Sequence, residues 1–160
     1  MPDVATRGFG QALTEIVRID FVLVTGSTDQ RRIAEATGAQ FRAGDPSDPL
    51  RGVFHLTIDA KAQAIPIQLI LLPTRWTDAV LNGLQTLSIL DCSAPVVSWS
   101  TLVLLKLYAG SPQDLTDAEA VLAVRQPTTA ELKEMISLAH TVGVSKEMQE
   151  FLHRLGIEEP

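Results

Sequence analysis

The sequence predicts an α+β fold, a mixed β-sheet with flanking helices followed by a C-terminal helical part. Three observations carry this. Strand-like and helical segments intermix up to Val97. From Ser98 onward only helical signals occur, each with its own start and stop residues. The composition, 46% hydrophobic and 20% charged over 160 residues, is that of a globular chain long enough to bury a core. The expected organisation is a sheet region over 1–98 and a helical region over 99–160, packed on it as one compact unit.

The elements follow in order. A short helix is expected over Gly10–Val17. Ile19–Val24, rich in β-branched and aromatic residues, reads as a buried strand. Thr25-Gly26 turns the chain. Ser27 with Gln30 forms a capping box for a helix that Gly38 stops. Gly44-Asp45-Pro46-Ser47-Asp48-Pro49 is a loop by its turn chemistry. Val53–Asp59 alternates, with Phe54, Leu56 and Ile58 on one face and His55, Thr57 and Asp59 on the other. Ala64–Leu72 is its hairpin partner. Pairing Asp59 with Ala64 sets His55 opposite Gln68, and a slip of one residue would reverse the faces. Pro66 marks an edge or a bulge.

Thr77–Gly83 reads as helical, and Thr86–Leu90 and Pro95–Val97 as short strands. Four helices then follow. Ser98 caps Trp99–Ala109, which Gly110 ends. Pro112 opens a helix to Arg125. Thr128 with Glu131 caps a helix to Val142, which Gly143 ends. Ser145 caps the last, to Leu155, which Gly156 ends.

The net charge is −6. Lys/Arg balance Asp/Glu up to residue 75, so the whole excess lies beyond it. An acidic C-terminal half argues against a general DNA-binding surface, which needs a basic footprint. A nucleotide could still meet the arginines of the balanced half. The single cysteine, Cys92, excludes an internal disulfide and fits a reducing compartment. No apolar run approaches the roughly 20 residues of a membrane span, and no secretory signal opens the chain. The expectation is a soluble cytoplasmic protein.

Lys106 is the most informative residue. It lies in Leu102-Val-Leu-Leu-Lys106-Leu-Tyr-Ala109, apolar on every side, which predicts a buried helix. A buried ammonium needs a partner. Asp114 and Asp117, three apart, face one side of the next helix. One reading is an ion pair locking two helices, which would cost on the order of 3 kcal/mol to break if fully buried. The other is a lysine aimed at a phosphate or carboxylate pocket. The structural reading is preferred.

The stretch Pro95-Val-Val-Ser-Trp-Ser-Thr-Leu-Val-Leu-Leu-Lys106-Leu-Tyr-Ala-Gly110-Ser-Pro-Gln-Asp114-Leu-Thr-Asp117-Ala-Glu resembles the nucleotidyltransferase-like proteins of the AbiEii toxin type. These carry a Lys-Leu-x-Ala-Gly-Arg…Asp-x-x-Asp signature. Weaker similarity reaches back to Ile19. Ser111 stands where that family usually has arginine. The resemblance implies a nucleotidyltransferase-like sheet. It also implies an Asp-x-Asp pair on one strand and a third carboxylate on a neighbour, together holding two Mg²⁺ ions, with a glycine turn upstream for the phosphates.

This chain departs from that pattern. The match to Asp-x-Asp is Arg18-Ile19-Asp20, with arginine at the first acidic position. Gln68 occupies the expected third position. The glycine-turn candidate, Gly8-Phe-Gly10, is closer to Arg18 than the family's spacing. One carboxylate does not assemble a two-metal site, and an arginine repels a divalent cation.

The expected function is therefore a degenerate nucleotidyltransferase-like protein without transfer activity, a pseudoenzyme that acts as a nucleotide- or anion-binding or interaction protein. Its ligand-binding candidates are Arg18, Asp20, His55, Gln68 and Lys106, with Lys106, Asp114 and Asp117 as the structural ion pair. Asp20 is the residual catalytic candidate. No metal site and no cofactor are expected. Two alternatives stand beside this reading. One is an active, toxin-type Mg²⁺-dependent nucleotidyltransferase using Asp20 with a non-standard carboxylate such as Asp59. The other is a structural or assembly module, pairing with a partner protein or a second copy through an apolar patch. His140, His153, Arg31 and Arg32 read as surface residues, Trp76 and Trp99 as core anchors, and Cys92 as a small apolar group.

Overall fold

The computed structural model describes residues 19–24, 30–44, 52–60, 63–89 and 92–158. The helix expected over Gly10–Val17, the Gly8-Phe-Gly10 turn, Arg18, the Ser27 cap and residues 45–49 of the expected loop lie outside them. The chain is mixed α+β, as its sequence predicts, and falls into two compact units, 1–72 and 73–160.

The first unit holds a four-stranded sheet in the order β1-β4-β3-β2, formed by β1 (Ile19–Val24), β2 (Gln40–Ala43), β3 (Gly52–Ala60) and β4 (Gln63–Leu72), with α1 (Gln30–Thr37) before β2. β1 runs parallel to β4, while β3 is antiparallel to both β4 and β2. The β3–β4 register is the expected one, with Asp59 opposite Ala64 and His55 opposite Gln68. One face buries Phe54, Leu71 and Ala39, against which Leu23, Ile33, Ala34, Phe41, Leu56 and Leu69 pack. Alternation explains the strand members of this set, because odd positions of β1, β2 and β4 and even positions of β3 share that face.

Pro66 sits in the second strand of the order rather than in an edge strand. Among the described residues, β1 pairs with β4 only from Ile67 onward. Pro66 lies opposite Thr57 of β3. Gly52, at φ 155°, permits the close approach of β2. A Cβ there would lie 2.5 Å from the Phe41 ring and 2.8 Å from the Arg42 carbonyl oxygen.

The second unit contains α2 (Thr77–Leu81), a hairpin of β5 (Gln85–Ile89) and β6 (Cys92–Val96), and the helices α3 (Trp99–Ala109), α4 (Pro112–Arg125), α5 (Thr129–Val142) and α6 (Ser145–Arg154). Its core includes Trp76, Val103, Leu104, Leu107, Met135, Val142, Met148 and Leu152. The sequence reading drew the division after residue 98, whereas the structure divides after Leu72. The reason is pairing. Among the described residues β5 and β6 pair only with each other. The segment before α3 is tied to it by the buried Thr101 hydroxyl, which donates to the Ala79 carbonyl at 2.7 Å.

The expected caps form at Ser98 and Thr128, the latter as a full capping box. Ser145 does not cap α6. It is the first helical residue, and Val144 takes the cap position with no side-chain bond. Trp76 is fully buried, while Trp99 is half-buried, with the Arg125 guanidinium 5.6 Å from its ring centroid. Arg31, Arg32, His140 and His153 are exposed.

Candidate functional site

Residues aligned across neighbouring strands point to the same face. The three registers place Asp20 beside Gln68, Gln68 beside His55, and His55 beside Gln40. These four form one polar row across the whole sheet, on the face opposite the Phe54–Leu71 core. The sequence reading brought His55 and Gln68 together. The resemblance also implied one site for Asp20 and Gln68, which the parallel β1–β4 pairing sets side by side, and β2 adds Gln40.

Gln68 and His55 interact directly, with Nε2 3.4 Å from Nδ1. In this geometry the amide donates to Nδ1 of an imidazole that carries its proton on Nε2. That leaves the imidazole N–H and the Gln68 carbonyl oxygen for a ligand. A cleft of about 410 Å³ opens over this part of the row, lined by Gly38, Gln40, His55, Leu56, Thr57, Pro66, Ile67 and Gln68. Gly38 adopts φ 68° where α1 ends, and a Cβ there would meet nothing within 4 Å. Arg42 lies on the same face, two residues beyond Gln40, opposite Val53. The sequence reading missed Gln40 and Arg42. Their signal was the polar–apolar alternation Gln-Phe-Arg-Ala directly after Gly38-Ala39.

The row does not fit the two-metal centre that the resemblance implies. Its donors are one carboxylate, two amides and one imidazole, and Mg²⁺ favours carboxylate and water oxygens in octahedral array. Among the described residues no group of three His, Cys, Asp or Glu side chains converges. Asp59 does not complete the site. It is four residues along β3 from His55, opposite Ala64, which is roughly 13 Å at strand rise.

Lys106 belongs to the other unit. Its Nζ donates to Asp114 Oδ1 at 3.0 Å and to Asp117 Oδ2 at 2.8 Å. The second oxygen of Asp114 accepts from the Ser111 hydroxyl at 2.6 Å, and that of Asp117 accepts from Gln113 Nε2 at 2.8 Å. Ser111, at the position where the resemblance places arginine, is the N-cap of α4, and its hydroxyl accepts from the Asp114 N–H.

Burial by itself would lower the Lys106 pKa, but the hydrogen bonds and charges of Asp117 and Asp114 outweigh it and hold the pKa up. For Asp114, burial acts to raise the pKa, and the bonds from Ser111 and Lys106 bring it below the usual carboxylate range. Asp117 is lowered by its bond from Lys106 and then by that from Gln113. The ammonium is thus committed to two carboxylates, as the structural reading expects. The helix is not buried all round, since Leu102 is exposed and Lys106 is half-buried.

Among the described residues no helix is long and apolar enough to cross a membrane. The class the structure defines is an α+β protein with a four-stranded mixed sheet in one unit and a helical array carrying a β-hairpin in the other. In comparisons with known proteins, no family model, no curated protein and no solved structure matches the chain.

Proposed function

We propose that this chain is a degenerate nucleotidyltransferase-like protein that binds a nucleotide or small anion on the polar face of its mixed sheet and does not transfer nucleotidyl groups. The observation that supports this reading is the row Asp20–Gln68–His55–Gln40. It has the side-by-side strand positions that metal carboxylates would need, but only one carboxylate. Amide and imidazole groups replace the rest. Such groups donate and accept hydrogen bonds to phosphate, sugar or base without supplying the charge that attracts Mg²⁺. Arg18, two residues before Asp20 in the sequence, serves as the cationic partner of the phosphate in place of a metal.

The test has two arms. Labelled ATP, CTP, GTP and UTP are incubated with Mg²⁺ or Mn²⁺ and pools of RNA and protein acceptors, and no incorporation is expected. Incorporation that vanishes in Asp20→Ala overturns the reading in favour of an active enzyme. In the second arm the same nucleotides and inorganic phosphate are titrated while the His55 ring and Gln68 amide resonances are followed. Saturable shifts of the Gln68 amide that are lost in His55→Ala, and of the His55 ring that are lost in Gln68→Ala, support the reading, and unchanged resonances with every ligand refute it.

A further inference from the structure

Residues 79–105 contain a single charged side chain, Asp91, in a chain that is 20% charged and carries a net charge of −6. The β5–β6 hairpin lies within this stretch. All its described side chains, Gln85–Ser88 and Ser93–Val96, are exposed. Its register gives it two unlike faces. Gln85, Leu87, Ala94 and Val96 lie on one. Thr86, Ser88, Ser93 and Pro95 lie on the other, where the Ser88 and Ser93 hydroxyls meet at 3.3 Å. Leu87 is 43% exposed and Val96 38%.

A two-stranded ribbon open to water on both faces is marginal by itself. Among the described residues neither strand has a second neighbour. Proteins guard such edges with charges, prolines or bulges. β6 carries Pro95, which has no N–H to offer. β5, Gln85-Thr-Leu-Ser-Ile89, carries no charge, no proline and no glycine, so its outer edge is the unguarded one.

We propose that β5 is the pairing edge of a homodimer. A second copy adds its own β5 antiparallel across a two-fold axis at Leu87, and the two hairpins become one four-stranded sheet. A two-fold contact requires a self-complementary surface, and this strand is one. Centred on Leu87, it sets Leu87 against Leu87, Thr86 against Ser88, and Gln85 against Ile89. Charge selects the occupant. Two chains of −6 repel each other wherever acidic side chains face, and this uncharged edge lets two copies approach without that repulsion. A charged partner would find no counter-charge along the strand.

The test is sedimentation of the full chain over a concentration series, with amide hydrogen exchange on the same samples. A dimer is expected, with the Gln85–Ile89 amides becoming more protected as concentration rises. Leu87→Lys and Leu87→Glu each place like charges on the axis and weaken association about 100-fold or more. Mixing the two variants restores the dimer, because the residue meets its own copy. Far-UV circular dichroism checks that both variants fold, and if either does not, the wild-type exchange result decides. A wild-type chain that stays monomeric, alone or bound to a different protein, overturns the proposal. So do Leu87 variants that remain dimeric, mixtures that do not re-associate, or β5 amides whose exchange ignores concentration.

Discussion

Gln68 stands directly across the β3–β4 pair from His55, its Nε2 3.4 Å from the imidazole Nδ1, while Asp20 flanks it on the parallel strand β1. The side chain at position 68 therefore decides whether the row holds one carboxylate or two.

Gln68→Asp sets a second carboxylate beside Asp20. Like charges on adjacent strand positions are destabilising, so the melting temperature should fall by a few degrees in metal-free buffer. Millimolar Mg²⁺ should recover part of the loss in this variant and leave the wild type unmoved. Thermal melts with and without Mg²⁺ check this. An equal response of both proteins would separate position 68 from Asp20.

Lys106→Met leaves Asp114 and Asp117 facing each other without their cation. A fully buried pair would cost about 3 kcal/mol or more to break. Here the side-chain exposures are 29%, 21% and 39% for Lys106, Asp114 and Asp117, and water screens all three. The expected loss is accordingly about 1–2 kcal/mol, between the surface and buried regimes. Urea denaturation measures it, and a loss near zero would show that the ammonium is not held by the two carboxylates.

The same network sets an acid limb to stability. Asp114 and Asp117 have pKa values lowered in the folded state. At a pH below the ordinary aspartate pKa of about 3.9 the unfolded chain therefore binds more protons than the folded one. Their contribution is complete above that pKa and is lost as pH falls through the folded values. The raised Lys106 pKa acts oppositely. Its contribution is complete below its ordinary pKa and is lost as pH rises through the folded value, on the alkaline side. Wild type and Lys106→Met should thus differ across the neutral range, begin to approach each other only below about pH 4, and converge as pH falls through the lowered folded values. Urea midpoints against pH test this.

Thr101→Val keeps the shape of a fully buried side chain and deletes its hydroxyl. The Ala79 carbonyl, on a buried residue, loses a 2.7 Å hydrogen bond. The expected cost is about 1–2 kcal/mol, read as a lower urea midpoint. Thr101→Ser keeps the bond and should lose less. Equal losses in both would mean that packing, not the hydroxyl, ties α2 to α3.

Local chemistry made much of this legible in the sequence. The His55–Gln68 register follows from alternation in β3 and the shortness of the turn to β4. The α3 and α5 caps follow from Ser98 and the Thr128–Glu131 box. The Lys106 pair follows from the cost of an unpartnered ammonium next to a helix with two aspartates on one side. Each of these is decided within a few residues of chain or between consecutive elements. The cap assigned to Ser145 failed for the same local reason, since Val144 and Ser145 compete within one turn and only backbone geometry separates them.

Partner choice between distant strands was not legible. Nothing in the residues of Ile19–Val24 says that the strand lies parallel to β4; the resemblance implied that Asp20 and Gln68 share a site, and the tertiary structure supplied their side-by-side register. The same holds for Gln40 and Arg42, which reach the polar face only because Gly38 turns α1 into a four-residue strand that pairs with β3. Pro66, an edge signal by its missing N–H, occupies a strand with neighbours on both sides, which only the sheet topology shows. The sequence by itself determined which residues share a strand face or a helix start, because period and capping are short-range. The tertiary structure decided which strands neighbour each other, because that choice depends on burying one whole face of the sheet at once.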